Sequence, residues 1–236
     1  MFIEWLILIP CLLLSYWASS NVNSTFERFS KQRSTRGLTG AQAAQRVLQA
    51  NGVTGVRIER VAGKLTDHYD PRTNVIRLSE SVYGSTSTAA IGVACHEAGH
   101  AVQYAENYAP IKLRAAIIPL TNFGSKIAMP LILLGILCTF LGSFSDTLVY
   151  MGIAAFGMSL VFQIVTLPVE FNASSRALEA IQGRQLLDDE EIHGARKVLR
   201  AAAMTYVAAL LMSILQLLRY VLIFLGRGGN RKGGRR

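Results

Sequence analysis

The sequence predicts a mainly α-helical membrane protein with three to four transmembrane helices and a small α+β domain at the membrane surface. Hydrophobic residues make up 51% of the 236 residues, and the mean hydropathy is +0.32, which is high for a soluble protein. These apolar residues are clustered in long blocks. The polar stretch between the first and second blocks carries helix and strand patterns, which predict the α+β domain.

The first apolar block runs from Phe2 to Ala18 and predicts an N-terminal transmembrane anchor over residues 1–19. Trp5 lies near one end and Tyr16-Trp17 at the other, as in the aromatic belts of membrane proteins. No basic segment precedes the block, and no clear cleavage site follows it. We therefore favour a retained anchor over a signal peptide.

The next segment, residues 20–114, is predicted to combine a basic juxtamembrane stretch with the first half of the surface domain. The basic stretch suits acidic lipid headgroups, and a plain solvated linker is an equal alternative. Thr39 is placed to cap a helix that ends before Gly52. Alternating apolar and polar residues then predict strands at 56–61 and 74–79.

A histidine motif lies near the end of this segment: His96-Glu97-Ala98-Gly99-His100. On a helix, positions i and i+4 share one face, so His96 and His100 can present two imidazoles to one metal ion. Glu97 is close enough to act as a general base on a metal-bound water. This H-E-x-x-H spacing is typical of zinc peptidases, and a chance match with two packed or solvated histidines is the disfavoured alternative.

Two further apolar runs, residues 127–144 and 147–168, are joined by a tight turn at Ser145-Asp146. Each run is long enough to cross about 30 Å of hydrocarbon, so residues 115–169 predict a transmembrane hairpin rather than a buried soluble one. A hairpin returns the chain to the side that it left. Whatever follows the second run is therefore expected on the same side of the membrane as the histidine motif.

Glu170 follows the second run directly and is the predicted third metal ligand. A carboxylate so near an apolar run is costly unless it is paired or bound to a metal. His193, further along in a polar stretch, is the rival third ligand. Two histidines and one glutamate leave the fourth position of zinc open for water, which is the catalytic pattern. We expect one Zn²⁺ per chain.

The rest of the chain divides into three predicted segments. Residues 170–203 are the expected second half of the surface domain, and residues 204–226 form a final hydrophobic helix. Residues 227–236 form a basic tail. Within the second half, the acidic cluster at residues 188–191 predicts a solvated helix start.

The net charge and the cysteines limit which binding partners and cysteine sites the sequence allows. The net charge of +9 fits nucleic acid or an anionic membrane surface, and the apolar blocks favour the lipid bilayer, with no nucleic acid. The three cysteines are scattered and give neither a disulfide framework nor a cysteine metal site. Cys95 adjoins a motif histidine but points about 100° away on a helix, so we expect it to pack in the core.

Three stretches together resemble the bacterial YugP-like membrane zinc metallopeptidases: residues 96–103 (HEAGHAVQ), 167–174 (LPVEFNAS) and 67–71 (DHYDP). The similarity covers nearly the whole chain and extends, more distantly, to HtpX-like peptidases, whose second motif is Glu-x-x-x-Asp. The resemblance implies an integral membrane endopeptidase of the gluzincin type. It implies His96, His100 and Glu170 on zinc, with Glu97 as the general base.

Further site residues are predicted around these four. Ser174 stands four residues after Glu170, where the HtpX-like pattern has Asp, so the usual carboxylate that orients a zinc histidine is in doubt there. Tyr206 is our first choice for stabilising the oxyanion, ahead of Arg176 and His193.

The second predicted strand supplies candidate substrate-binding residues. An extended substrate could pair with it through Asn74, Val75, Ile76 and Arg77, and a purely structural strand is an equal alternative. His68 is expected to be a turn histidine with local hydrogen bonds rather than a metal ligand.

Lysine and arginine residues near the apolar runs predict the orientation. Eleven lie on the motif side and five lie in the tail. This excess predicts that the amino terminus lies outside and that the active site faces the cytoplasm. The resemblance implies a multi-pass protein of the bacterial cell (inner or plasma) membrane. The basic tail would then end outside if the last run crossed fully. A last run that lies in the membrane interface, or that dips in and returns, would remove the conflict.

These observations favour a membrane-bound zinc endopeptidase over a catalytically idle scaffold whose metal only staples helices together. A structural metal site needs no base beside its ligands, and this chain has Glu97. Both halves of the site adjoin apolar runs, so the expected substrates are polypeptide segments of membrane proteins near the membrane surface. An anchored peptidase for soluble peptides is the alternative.

Overall fold

The computed structural model describes residues 2–232, without the side chains of residues 2–6, 141 and 225–232. The described chain is mostly helical, with one small sheet, which confirms a mainly α membrane protein with a small α+β domain. In chain order, the elements are α1 (Phe2–Ser30), α2 (Gly40–Ala50), β1 (Arg57–Val61), β2 (His68–Asp70), β3 (Val75–Ser79), α3 (Glu80–Tyr83), α4 (Thr88–Ala105), α5 (Ala109–Leu137), a short 3₁₀ helix (Thr139–Leu141), α6 (Ser143–Gly183) and α7 (Asp189–Lys232).

The chain divides into two compact units. The first, called the apolar unit below, comprises Met1–Trp17, Leu113–Thr166 and Tyr206–Arg236. The second, called the motif unit, comprises Ala18–Lys112 and Leu167–Thr205. The predicted roles of the six sequence segments, from anchor to basic tail, stay predictions, and the last four residues of the tail lie outside the described residues.

Within the described part of the chain, three helices are long and apolar enough to cross a membrane: Ala109–Leu137, Ser143–Gly183 and Asp189–Phe224. The first two correspond to the predicted hairpin, but the predicted turn at Ser145-Asp146 is wrong, because both residues lie in the first turn of α6 and the chain turns before Ser143. Helix α7 continues to Lys232 without a break, so a last segment that dips into the membrane and returns is not formed. Helix α1 covers the predicted anchor, whose crossing of the membrane stays a prediction.

The sheet of the motif unit has the strand order β1-β3-β2. Strand β3 pairs in parallel with β1 and antiparallel with β2, so it is the central strand. The two strands predicted from the sequence are present as β1 and β3. The sequence pattern does not predict β2, because three residues beside a turn are too few to show an alternation.

Close packing of helices shapes the core around the histidine motif. Of the eighteen residues of α4, fourteen are buried, because small and apolar residues surround the motif. A Cβ atom built on Gly99 would lie 2.8 Å from the carbonyl oxygen of Ala173, nearer than real Cβ atoms come. Only glycine therefore lets the backbones of α4 and α6 approach this closely.

The acidic cluster at residues 188–191 starts α7 as expected, but the expectation that it is solvated is wrong for Glu191. This side chain is buried and accepts hydrogen bonds from the backbone N–H groups of Thr35, at 2.6 Å, and Asp188, at 3.0 Å. Asp188 in turn accepts from the N–H of Glu191 at 2.8 Å, which completes a reciprocal cap. Glu191 therefore ties the loop after α1 to the first turn of α7.

Candidate metal centre

The histidine motif lies on α4, which begins with a defined cap. The Ser87 hydroxyl accepts a hydrogen bond from the N–H of Ala90, so the helix starts at Thr88. His96 and His100 are then one turn apart on one face, with ring centroids 4.7 Å from each other. Cys95 is fully buried, as expected, and burial raises the pKa of its thiol, so it is not available as a thiolate ligand.

Glu170 of α6 lies against both histidines. Its Oε2 atom is 3.3 Å from Nε2 of His96 and 3.4 Å from Nε2 of His100. One ligand atom from each of the three residues lies within 4.8 Å of the others. The structure thus brings the three predicted ligands together in one buried cluster, and their role as metal ligands stays a prediction.

The donor set of this cluster suits zinc. Two imidazole nitrogens and one carboxylate oxygen are ordinary zinc ligands, and three protein ligands leave one position of a tetrahedral ion open. Within the described residues, this is the group of His, Cys, Asp and Glu side chains that could hold a metal. His193, the rival ligand, is exposed on α7 and is not part of it.

Gln103 fixes the tautomer of His100, although the sequence analysis did not single it out. Its Nε2 donates to the carbonyl oxygen of Val169 at 2.8 Å and to Oδ1 of Asn172 at 2.9 Å, which determines which way the amide points. The Gln103 Oε1 atom therefore faces Nδ1 of His100, at 3.0 Å, and accepts a hydrogen bond from its N–H. The lone pair of His100 is then left on Nε2, the atom that faces Glu170.

Ser174 occupies the equivalent position next to His96. Its Oγ atom is 3.1 Å from Nδ1 of His96, so a hydroxyl makes the contact that the HtpX-like pattern assigns to an aspartate. Both histidines are therefore held by neutral partners through Nδ1.

A signal for Gln103 was present in the sequence, because a polar residue three positions after His100 falls among the buried positions of α4.

Glu97 lies beside the ligand cluster and is only 8% exposed. Burial raises the pKa of its carboxyl group to about 7, the charges of Glu170 and Asp67 add to this, and His96 and His68 oppose it. A carboxyl group with a pKa near neutrality can both take up and release a proton at neutral pH. Its predicted role as the general base stays a prediction.

Asp67 and His68, at the start of β2, face the same region. Asp67 accepts hydrogen bonds from the N–H and the hydroxyl of Ser79, at 2.7 and 2.9 Å, which fixes the start of the strand. His68 is exposed, and its Nδ1 lies 2.8 Å from the Thr66 carbonyl oxygen, the local contact that we expected. It is not among the residues of the candidate metal group.

The predicted substrate-binding residues Asn74, Val75, Ile76 and Arg77 are wrongly placed for that role. We expected an edge strand, but β3 is the central strand, and Val75, Ile76 and Arg77 are paired on both sides, with β1 and with β2. Val75 and Ile76 are fully buried, and Arg77 pairs with Asp70 at 3.1 Å. Asn74 has a positive φ of 54°, donates to the Gly55 carbonyl and accepts from the Tyr69 hydroxyl. These are structural roles.

The outer edge of β2 is the open one nearest to the motif helix. In the described sheet, no strand pairs with this edge. Tyr69 of β2 packs against Tyr104 of α4, with ring centroids 5.6 Å apart, so β2 runs beside the helix that carries the histidines. Tyr206, the predicted oxyanion donor, belongs to the apolar unit, and its role stays a prediction.

Comparisons with known proteins find a family and a relative that match most of the chain. A protein-family profile described as "Putative neutral zinc metallopeptidase" matches residues 4–225. The chain is 50% identical over 223 residues to the "Putative membrane protease YugP" of Bacillus subtilis (strain 168), a match that covers 94% of this chain and 97% of that protein. No solved structure matches.

Replacing Gln103 tests whether the amide network supports metal binding. We expect Gln103→Leu to weaken zinc binding by about 10- to 100-fold, because the proton on Nδ1 of His100 loses its acceptor and the ring loses its fixed orientation. Competition between the purified protein and a chromogenic zinc chelator measures the change. Gln49→Leu, an exposed glutamine on α2, is the matched control and should bind zinc like the wild type. Unchanged zinc affinity in Gln103→Leu would contradict the proposed orientation.

Proposed function

The chain belongs to the neutral zinc metallopeptidase family, and from that premise we propose that it is an integral membrane zinc endopeptidase. The observation that carries this proposal is the buried cluster of His96, His100 and Glu170 with Glu97 beside it. Three donors and a separate carboxylate are what hydrolysis of a peptide bond requires: a site for zinc and a group that moves a proton.

In this mechanism, zinc supplies Lewis acidity and lowers the pKa of the attacking water. His96, His100 and Glu170 hold the ion, and Gln103 and Ser174 keep the two imidazoles turned so that Nε2 faces it. Glu97 takes the proton from the water as it attacks the peptide carbonyl, and then passes that proton to the leaving amine. The water oxygen thereby forms the new C–O bond of the acid product, the C–N bond breaks, and the proton that left the water forms the new N–H bond of the amine.

A non-catalytic scaffold is the less favoured reading because of Glu97. A metal that only joins helices needs its ligands and nothing else, whereas a buried carboxylate beside them adds a desolvation cost. A general base explains why such a costly group is kept at this position. The same carboxylate is where the two readings give different experimental results.

Substrate binding is proposed at the outer edge of β2. An extended segment could add to this edge by backbone hydrogen bonds, which would tolerate many sequences and require the substrate to be locally unfolded. The edge lies beside the helix that carries His96 and His100. Helix α6, which carries Glu170, is also one of the candidate membrane spans. A membrane span that carries a ligand holds the site at the membrane, and this raises the effective concentration of membrane-bound polypeptides near it. We therefore propose membrane proteins as the substrates.

We further propose that the motif unit faces the cytoplasm of a bacterial cell. The excess of lysine and arginine on the motif side supports this orientation, because positively charged flanks are retained inside. Helix α7 is unbroken, so a full last crossing would leave the basic tail outside. The eleven basic residues on the motif side then outweigh the five in the tail in setting the orientation.

The Glu97→Gln variant separates catalysis from metal binding. We expect it to keep zinc and to lose peptide cleavage, since only the proton acceptor is removed. Glu170→Ala should lose zinc as well, because the carboxylate donor itself is gone. Metal content of the purified variants and cleavage of a fluorogenic peptide are the two measurements. Full zinc occupancy in Glu170→Ala would contradict its assignment as a ligand, and cleavage by Glu97→Gln at the wild-type rate would contradict the role of Glu97 as the base. Absence of cleavage by the zinc-loaded wild type would favour the scaffold.

The preference for membrane substrates can be measured in liposomes. The same cleavable segment is offered either joined to a transmembrane helix or free in solution, at equal total concentration. We expect faster turnover of the joined form, because both partners are confined to one surface. The Glu97→Gln variant in the same liposomes gives the background. Equal turnover of the two substrates would favour the anchored peptidase for soluble peptides.

Thiol labelling tests the orientation. In a chain whose three cysteines are replaced by alanine, single cysteines are placed at Gln49, exposed in the motif unit, and at Ser143, exposed at the hairpin turn. We expect a membrane-impermeant maleimide to label the Ser143 position in intact cells and the Gln49 position only after permeabilisation. The reverse pattern overturns the cytoplasmic assignment.

A further inference from the structure

Helices α5, α6 and α7 of the apolar unit surround a cavity of about 420 Å³. This volume is in the range of small-molecule pockets, about 300 to 1,000 Å³. Apolar side chains make up most of its wall, and the three exceptions all lie on α7: Gln216, Arg219 and Tyr220. The cavity is far along the chain from the histidine motif and contains none of the residues discussed for the metal centre.

Only one of the three polar groups lacks a partner. Gln216 donates from Nε2 to the Tyr220 hydroxyl at 2.9 Å, and that hydroxyl donates to the sulfur of Met129 at 3.0 Å. The Nε atom of Arg219, by contrast, is covered by protein and makes no hydrogen bond with any described residue. A buried N–H that carries part of a full positive charge is therefore left unsatisfied inside an apolar wall.

No carboxylate among the described residues lines the cavity to neutralise this charge. The sequence of the apolar unit contains two acidic residues, Glu4 and Asp146. Neither is among the described residues that line the cavity. An arginine within a transmembrane helix is costly unless it is paired, and such residues commonly mark functional sites. An anion from outside the chain can therefore pair with Arg219 at this cavity.

The position of Arg219 indicates what kind of anion this is. It lies six residues before Leu225, the end of the last apolar run, which is about 9 Å along a helix. This depth is within reach of the headgroup level, while the cavity itself is lined by Ile132, Ile153, Ile223 and other apolar side chains. A ligand that fits has a negative group at one end and a hydrocarbon chain at the other.

We propose that this cavity binds one anionic phospholipid, with its phosphate on Arg219 and an acyl chain between α5, α6 and α7. A guanidinium can hold two phosphate oxygens at once, which satisfies Nε together with a terminal nitrogen. The acyl chain fills space that the apolar side chains leave open. This lipid would join the three helices of the apolar unit, and the proposal is independent of the peptidase function.

Native mass spectrometry of the full-length protein, purified in mixed micelles of phosphatidylglycerol and phosphatidylcholine, tests the proposal. We expect the wild type to retain one phosphatidylglycerol in clear excess over phosphatidylcholine. Arg219→Gln should weaken this retention by at least about tenfold, as for the loss of one charge-assisted hydrogen bond. Lys126→Gln is the matched control, since it removes one exposed positive charge from the same unit outside the cavity and should retain lipid like the wild type.

Ile153→Phe keeps the charge and fills part of the cavity, so it should also reduce retention, and it serves as the second variant if Arg219→Gln does not fold. Added oleate and inorganic phosphate identify the part of the lipid that is recognised, and neither alone should displace phosphatidylglycerol efficiently. Equal retention of the two phospholipids by the wild type would overturn the proposal. So would equal retention by Arg219→Gln and Lys126→Gln, or displacement by inorganic phosphate alone, which would indicate a site for a free anion.

Discussion

The candidate metal centre depends on one close contact, the approach of the α4 backbone to the α6 backbone at Gly99 and Ala173. Gly99 stands next to His100, and Ala173 is three residues, or nearly one turn, after Glu170. A methyl group at Gly99 would push the two helices apart, because its neighbour is a backbone carbonyl that cannot move aside. The separations of 3.3 and 3.4 Å between carboxylate and imidazoles would then be lost.

Gln103 uses the same approach of the two helices for a second purpose. Its amide spans from His100 on its own helix to the backbone of Val169 on α6, so one side chain both joins the helices and sets the tautomer of a histidine. The packing of α4 against α6 and the tautomer of His100 therefore depend on each other. A shift of α6 that broke the Val169 contact would also free the Gln103 amide to turn, and His100 would lose the acceptor that keeps its proton on Nδ1.

The sequence predicts those parts of this protein that depend on spacing along one element. The pairing of His96 with His100, the apolar runs and the strand at β1 follow from local periodicity, and Glu170 followed from the topology of a hairpin. The central position of β3 was not predictable, because strand order depends on contacts between segments far apart in sequence. The burial of Glu191 was missed for the same reason, since its partners Ser34 and Thr35 lie more than 150 residues away.

The two imidazoles have a hydroxyl and an amide as partners, and these neutral groups leave the net charge of the donor set unchanged. With Ser174 and Gln103 neutral, the three donors sum to a single negative charge, that of Glu170. A carboxylate behind His96 would make the surroundings more negative by one unit, hold a divalent cation more tightly and leave less of its charge to act on a bound water. With zinc bound as proposed, the neutral partners of this cluster would favour a more acidic bound water over tighter binding of the ion. The fraction of protein that carries zinc would then follow the free zinc concentration more closely than in a site with a carboxylate behind a histidine.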